Sequence, residues 1–140
     1  MQSAIDKEQI DLVAKQMGTF KDLTVYKKAF ALAMQIFKLS KKFPAEEKYS
    51  LTDQIRRSSR SVCANLAEGY RKRIYPAHFT AKCTDADMEN TETLVWLHFA
   101  LECGYISNEE FTYLDEATEE VGRLIGHLLE NPEKYIRAKK

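Results

Sequence analysis

Apolar residues recur along the chain at helical spacing, in four runs divided by proline, glycine and helix-capping residues. Val25, Ala29, Leu32, Ala33, Ile36, Leu39 and Phe43 follow one another at intervals of three or four until Pro44, which lines them along one side of a helix turning about 100° per residue. With Thr24 placed to cap it, a first helix is expected over about residues 24–43. A second, over roughly residues 46–73, carries Leu51, Ile55, Val62, Leu66 and Tyr70 on one stripe, beside Ser58, Ser59, Cys63 and Gly69. Small residues in those places permit close helix approach. Pro76 suits the first turn of a third helix, where its missing N–H costs nothing, and Phe79, Cys83, Ala86, Asn90, Leu94, Leu97 and Leu101 then run to Gly104. Ser107 with Glu110 three residues on has capping-box spacing. Phe111, Leu114, Thr118, Val121, Ile125 and Leu128 carry the fourth helix to Asn131 and Pro132.

Short connections make successive helices antiparallel, so the expected fold is all-α, an antiparallel up-and-down four-helix bundle over residues 22–130. Residues 1–21 form an N-terminal extension in which Ile5, Ile10, Leu12 and Val13 mark an amphipathic run ending near Gly18, too short to be stable alone. Residues 131–140 form a tail ending in Arg137, Lys139 and Lys140, expected to fray. A chain of 140 residues holds one such domain, and 5 glycines with 3 prolines leave little material for a many-turned β fold. Two features break the simple pattern. Asn90 interrupts a core stripe, where a polar residue either fixes register and partner choice or rotates toward water. Val95, Trp96 and Phe99 lie beside or opposite Leu94, Leu97 and Leu101, so this part of the third helix is apolar almost all round. One bundle core cannot cover both sides, and a second copy of the chain is the expected cover, with Val95, Trp96 and Phe99 at the contact.

Net charge is zero, yet residues 1–82 hold 16 Lys and Arg against 8 Asp and Glu, while residues 83–140 hold 5 against 13. Such asymmetry can hold the chain's own helices together, draw one protomer to another, or leave a basic face for phosphates. On the second helix Arg57, Arg60 and Arg71 point away from the apolar stripe, alongside Ala64, Ala67, Asp53 and Glu68. No run approaches the roughly 20 apolar residues of a membrane span, and the opening MQSAIDKEQIDL is too acidic and polar for a signal peptide. A cytoplasmic protein with no membrane partner is expected.

Catalytic and metal patterns are missing from the sequence. A di-iron bundle needs paired Glu-x-x-His motifs, but Tyr75, Val95 and Leu124 stand three residues before His78, His98 and His127. Cys63, Cys83 and Cys103 lack CxxC spacing and read as free thiols, two of them among apolar neighbours. Nothing has the form of a phosphate loop, a dinucleotide fingerprint or a nucleophile elbow. The acidic cluster Asp85, Asp87, Glu89 and Glu92 reads as a solvated or cation-paired helix face rather than a chelate. The expectation is a protein that is not an enzyme and has no metal and no cofactor.

DLTVYKKAFALA, FPAEEKYSLTDQIRRSSRSVCANLAEGYRK and a glutamate-bearing helix running into ALECGYIS together resemble a bacterial four-helix-bundle family. That family includes proteins encoded in intervening sequences of large-subunit rRNA genes and the accessory variability protein, Avd, of diversity-generating retroelements. The resemblance covers about residues 22–130, and its most specific segment runs from Gln54, Ile55, Arg56 and Arg57 through Asn65, Ala67, Glu68 and Gly69. It implies a four-helix protomer assembling into a homopentamer and, for the retroelement member, a basic surface that binds nucleic acid and a reverse transcriptase. Where the family usually has a Gly-Ser pair before its third-helix glutamate, this chain has Ala86 and Asp87 before Met88 and Glu89.

Two functions follow. In one, the chain is a homo-oligomeric accessory factor whose Arg56, Arg57, Arg60, Arg71, Lys72 and Arg73 contact the phosphates of RNA or DNA without reading bases. In the other it is a protein assembly scaffold, and the same arginines pair with the acidic third or fourth helix of a neighbouring copy.

Overall fold

The computed structural model describes residues 18–135. Four α-helices follow the apolar runs: α1 Thr24–Ser40, α2 Asp53–Arg71, α3 Pro76–Glu102 and α4 Asn108–Glu130. Each packs against its neighbours in sequence and α1 also meets α4, whereas the pairs α1 with α3 and α2 with α4 hardly touch. The helices therefore stand at the corners of a square, running up and down in turn. Ile36, Ile55, Leu66, Phe79, Leu97, Val121 and Ile125 fill the space between them and are sealed from solvent.

The ends of α1 and the start of α2 differ from the sequence reading. Thr24 is the first helical residue rather than the cap; Leu23 holds the cap position with extended backbone and no side-chain bond. The capping hydroxyl is Thr19, which accepts from the Lys21 N–H at the head of a 3-10 turn, Phe20–Asp22. At its other end α1 stops at Ser40, because the N–H groups of Lys41, Lys42 and Phe43 reach back only to the carbonyls of Lys38, Leu39 and Ser40. That tightening to i→i−3 bonds brings buried Phe43 in before Pro44 turns the chain. Residues 46–52, expected to be part of α2, fall instead in a 3-10 turn, Ala45–Glu47, and one π-helical turn, Lys48–Thr52. Glu47 anchors this connection: its carboxylate accepts from the hydroxyls of Ser50 and, at 2.8 Å, of Tyr105 in the α3–α4 loop. Hydrogen bonding to Glu47, followed by desolvation, pushes the Tyr105 pKa up to about 12.

α2 ends at Arg71, short of the expected residue 73, and the remaining boundaries fall where the sequence places them. Pro76 opens α3, and Gly104 lies just past its end at φ 77°, in the left-handed region that a side chain would strain. The capping box is complete: Ser107 Oγ accepts from the Glu110 N–H at 3.0 Å, and Glu110 Oε1 accepts from the Ser107 N–H at 2.9 Å.

Contact is most extensive between α2 and α3. Ser58 and Thr93 share a fully buried hydroxyl–hydroxyl bond of 2.8 Å across it. A Cβ at Gly69 would lie 3.1 Å from the Cβ of Lys82, closer than side chains ordinarily approach. Asn90 remains in the core, 5% exposed, and its Nδ2 donates to the Thr118 carbonyl at 3.0 Å, joining α3 to α4. Of the two readings of that residue, rotation toward water is thereby excluded. Cys63 and Cys83 are buried, with burial pushing each thiol up to about 11, and Cys103 is exposed. The amphipathic run at Ile5, Ile10, Leu12 and Val13 and the basic end at Arg137, Lys139 and Lys140 lie outside the described residues.

Gly69 and Gly126 make opposite predictions under one experiment. Gly69→Val forces α2 and α3 apart and is expected to lower stability by about 1–3 kcal/mol. Gly126→Ala, where nothing lies within 4 Å of the added Cβ, is expected to raise it by up to about 1 kcal/mol. Urea unfolding followed by circular dichroism measures both.

Candidate functional site

The cations of α1 and α2 are divided by which neighbouring helix they face. Lys28 and Lys42 turn toward α4, where Lys28 Nζ stands 2.8 Å from Glu120 and Lys42 Nζ 2.6 Å from Glu110. Arg57 turns toward α3 and reaches Glu92 at 3.2 Å and Glu89 at 3.9 Å. Lys82 of α3 meets Glu68 of α2 at 2.7 Å. Among the described residues no ion pair involves Lys27, Lys38 or Lys41 on α1 and its cap, or Arg56, Arg60 or Arg71 on α2. Lys27 and Lys38 are eleven residues, close to three full turns, apart and share one side of α1.

Phe37 organises the middle of this outer α1–α2 face. The Arg56 guanidinium lies 4.7 Å from its ring centroid, the Lys41 ammonium 4.8 Å and the Arg60 guanidinium 5.6 Å. The negative face of the ring attracts each of them and offsets part of the repulsion among three like charges. Arg56 is fixed further, with Nε donating to Ser40 Oγ at 2.8 Å and Nη2 to the Phe37 carbonyl at 3.4 Å. Toward the start of α1 the face continues as Met34 and Phe30, and Tyr26 stacks behind Phe30. On α2 an open groove of about 480 Å³ is bordered by Asp53, Arg56, Arg57, Arg60, Ser61 and Ala64.

The residues nominated from sequence therefore fall into separate environments. Arg56 and Arg60 come together over Phe37, and Arg71 is exposed on the same helix. Arg57 is engaged by α3. Lys72 ends α2 as its C-cap and leans over the Tyr75 ring, its ammonium 5.8 Å from the centroid. Arg73 is a correction to the surface set: it is 7% exposed, its guanidinium 3.6 Å over the Tyr70 ring and its Nε donating to the Tyr70 carbonyl at 2.8 Å. The helix has already ended there, so helical extrapolation no longer says where the side chain points. Gln54, Asn65, Glu68 and Gly69, the specific residues of the family resemblance, hold α2 in place. Gln54 donates to the Tyr49 carbonyl at 3.4 Å, Asn65 to the Ser61 carbonyl at 2.9 Å, Glu68 pairs with Lys82, and Gly69 admits α3.

On α3, Val95 and Phe99 are exposed and Met88 extends their row. Trp96 differs from them: it is half-buried, packs on the core, and its Nε1 is sealed without a partner among the described residues. Glu89 faces the same α2–α3 seam. Its Oε2 is buried and unpartnered, and desolvation first, then the hydrogen bond and charge of Glu92, hold its carboxyl above the usual range, with Arg57 opposing them. His78, His98 and His127 stand in separate places, against Tyr75, Phe111 and Tyr135. Among the described residues no group of three or more His, Cys, Asp or Glu could hold a metal ion, and no helix is long and apolar enough to cross a membrane.

The sequence reading missed Lys27, Lys38, Lys41, Phe30 and Phe37. A usable signal was present: no Asp or Glu occurs between Asp22 and Glu46, so every charge on α1 is positive.

The chain matches the family model for 23S rRNA-intervening sequence protein over residues 21–127. It is similar to the crystal structure of a protein of unknown function from the S23 ribosomal protein family of Bacteroides thetaiotaomicron. The two are 28% identical with a TM-score of 0.69, and the match covers 76% of this chain and 95% of that one. No curated protein matches it.

Glu89 is open to direct measurement. Carbon-detected NMR titration is expected to place its pKa above that of an ordinary glutamate, and Arg57→Ala is expected to raise it further, since the opposing charge is removed.

Proposed function

The chain belongs to the 23S rRNA-intervening sequence protein family, and on that premise we propose that it is a cytoplasmic, non-catalytic accessory protein that works as a homo-oligomer and associates with nucleic acid through the outer face of α1 and α2. The observation that carries this reading is the set of cations on that face with no carboxylate partner among the described residues, while Lys28, Lys42 and Arg57 on the flanks are paired. Cations held away from carboxylates remain available to phosphates, and each phosphate neutralised releases counterions, so affinity falls steeply with salt. The family's rRNA-linked name supports the same direction. Repeating the face in an oligomer multiplies modest contacts, and exposed Met88, Val95 and Phe99 on α3 are the apolar row assigned to contact between copies.

Fluorescence anisotropy against structured RNA tests the reading. Reversing Lys38, Lys41 and Arg60 to Glu is expected to weaken binding by about tenfold or more at low salt and to flatten the log affinity against log salt plot by roughly one unit per lost phosphate contact. Lys28→Ala, on the α4 side, is expected to leave both unchanged. Binding that survives the triple reversal, or no binding by the unaltered protein at low salt, defeats the proposal.

One observation favours a second reading, an assembly scaffold without nucleic acid. The outer edge of α4 exposes Glu109, Glu116, Glu119 and Glu130 diagonally across the bundle from α2, a polarity that suits head-to-tail contact between copies. In either reading Val95→Glu with Phe99→Glu is expected to reduce the mass measured by light scattering to that of a smaller species. An unchanged mass removes that row from the interface.

A further inference from the structure

We propose that the α1–α2 face takes a single strand of nucleic acid and that Phe30 is its base-stacking platform; this specifies the partner of the reading above and rests on it. Contact with phosphates alone calls only for cations. This face also presents aromatic and apolar side chains among them: Phe30 is 50% exposed and Met34 41%. The two nearby rings are not equivalent. Phe37 is already occupied, with Arg56, Lys41 and Arg60 gathered around it. Among the described residues no cation lies over Phe30, and Tyr26 stacks against it at 6.1 Å between centroids with 28° between the ring planes. Phe20 in turn sets its edge against Tyr26 at 4.9 Å. The result is a braced ring whose free surface faces out. Lys27 lies one turn before it, and Lys38 is about two turns after.

Charge complementarity points this surface at a polyanion, and the open ring decides which kind. In a duplex the base faces are stacked on one another, so only phosphates, sugars and groove edges could meet a convex helix surface, and Phe30 would be left against polar groups. A single strand offers a π-face between successive phosphates, and aromatic side chains set among cations are how sequence-tolerant single-strand binders are built.

Anisotropy with a labelled single-stranded oligoadenylate and with an RNA duplex, each about 20 nucleotides long, tests the proposal in the full chain at one salt concentration. The single strand is expected to bind more tightly than the duplex. Phe30→Ala is expected to lose about 5- to 150-fold on the single strand while leaving duplex affinity unchanged, and Phe30→Trp is expected to retain single-strand binding. Because Phe30 is half exposed, the alanine variant should keep its helical circular dichroism spectrum, which is checked alongside. Wild-type binding that is equal for both probes, or unaffected by Phe30→Ala, overturns the stacking proposal and leaves the phosphate-binding face standing. Absence of binding by the unaltered protein overturns both. A fall in oligomer mass on Phe30→Ala overturns the stacking proposal by making this face a contact between copies.

Discussion

The close approach of α2 and α3 is the constraint from which the rest of the surface follows. Ser58 and Gly69 put little bulk on the side of α2 that meets α3, and the Gly69–Lys82 separation leaves no room for a methyl group without movement. Two backbones this near favour the register in which the buried hydroxyls at the seam meet. Ser58 and Thr93 do so at 2.8 Å, and a shift of either helix along its axis would break that bond, leaving each hydroxyl only a carbonyl of its own helix, Ile55 for Ser58 and Glu89 for Thr93. Fixing that register fixes the rotation of α3 as well. Lys82, Glu89 and Glu92 are thereby delivered to Glu68 and Arg57, and Met88, Val95 and Phe99 are turned outward.

The same rotation sorts the charges. An arginine or lysine on the seam side of α2, or on the α4 side of α1, meets an acidic helix and is paired. One on the outer α1–α2 face meets only the other basic helix. Within the described residues the basic first half and the acidic second half of the sequence thus become two sides of the bundle, and what the middle of the basic side has in place of carboxylates is an aromatic ring. Phe37 holds three cations near one another without neutralising any of them, so their charge is concentrated rather than consumed.

The helices and most of their limits were legible in the sequence because each rests on a local cause: the i, i+3, i+4 apolar stripe, Pro44, Pro76, Gly104 and the Ser107–Glu110 box. The π-helical turn was not: no local pattern marks it, and the Glu47 carboxylate just before it is tied to Tyr105, 58 residues away. Pairing of charges was illegible for a similar reason. Lys27 and Lys28 are adjacent and chemically identical, and only the position of α4 makes one a partner of Glu120 and leaves the other facing out. Arg73 stands two residues beyond the end of α2, and Trp96 sits at the edge of a helix apolar almost all round. In both places periodicity stops discriminating inside from outside. The acid-free run of α1, by contrast, is a local property and could have been weighed from the start.

Zero net charge does not cancel a basic face once the charges are separated in space. The acidic edge of α4 lies diagonally across the bundle from α2, beyond an intervening helix, and packed helices stand about 8–10 Å apart. At physiological ionic strength the screening length is about 8 Å, so a phosphate placed against Arg60 on α2 would respond to the cations beside it far more than to glutamates on the opposite edge. When salt is lowered to about 0.01 M, screening extends to roughly 30 Å, longer than the width of the protomer, and the approaching polyanion then experiences both edges. On the nucleic-acid reading proposed above, contact strength and long-range steering would separate. Dilution of salt would strengthen each phosphate contact, while the distant acidic edge would withhold the acceleration of association that a uniformly basic protein gains.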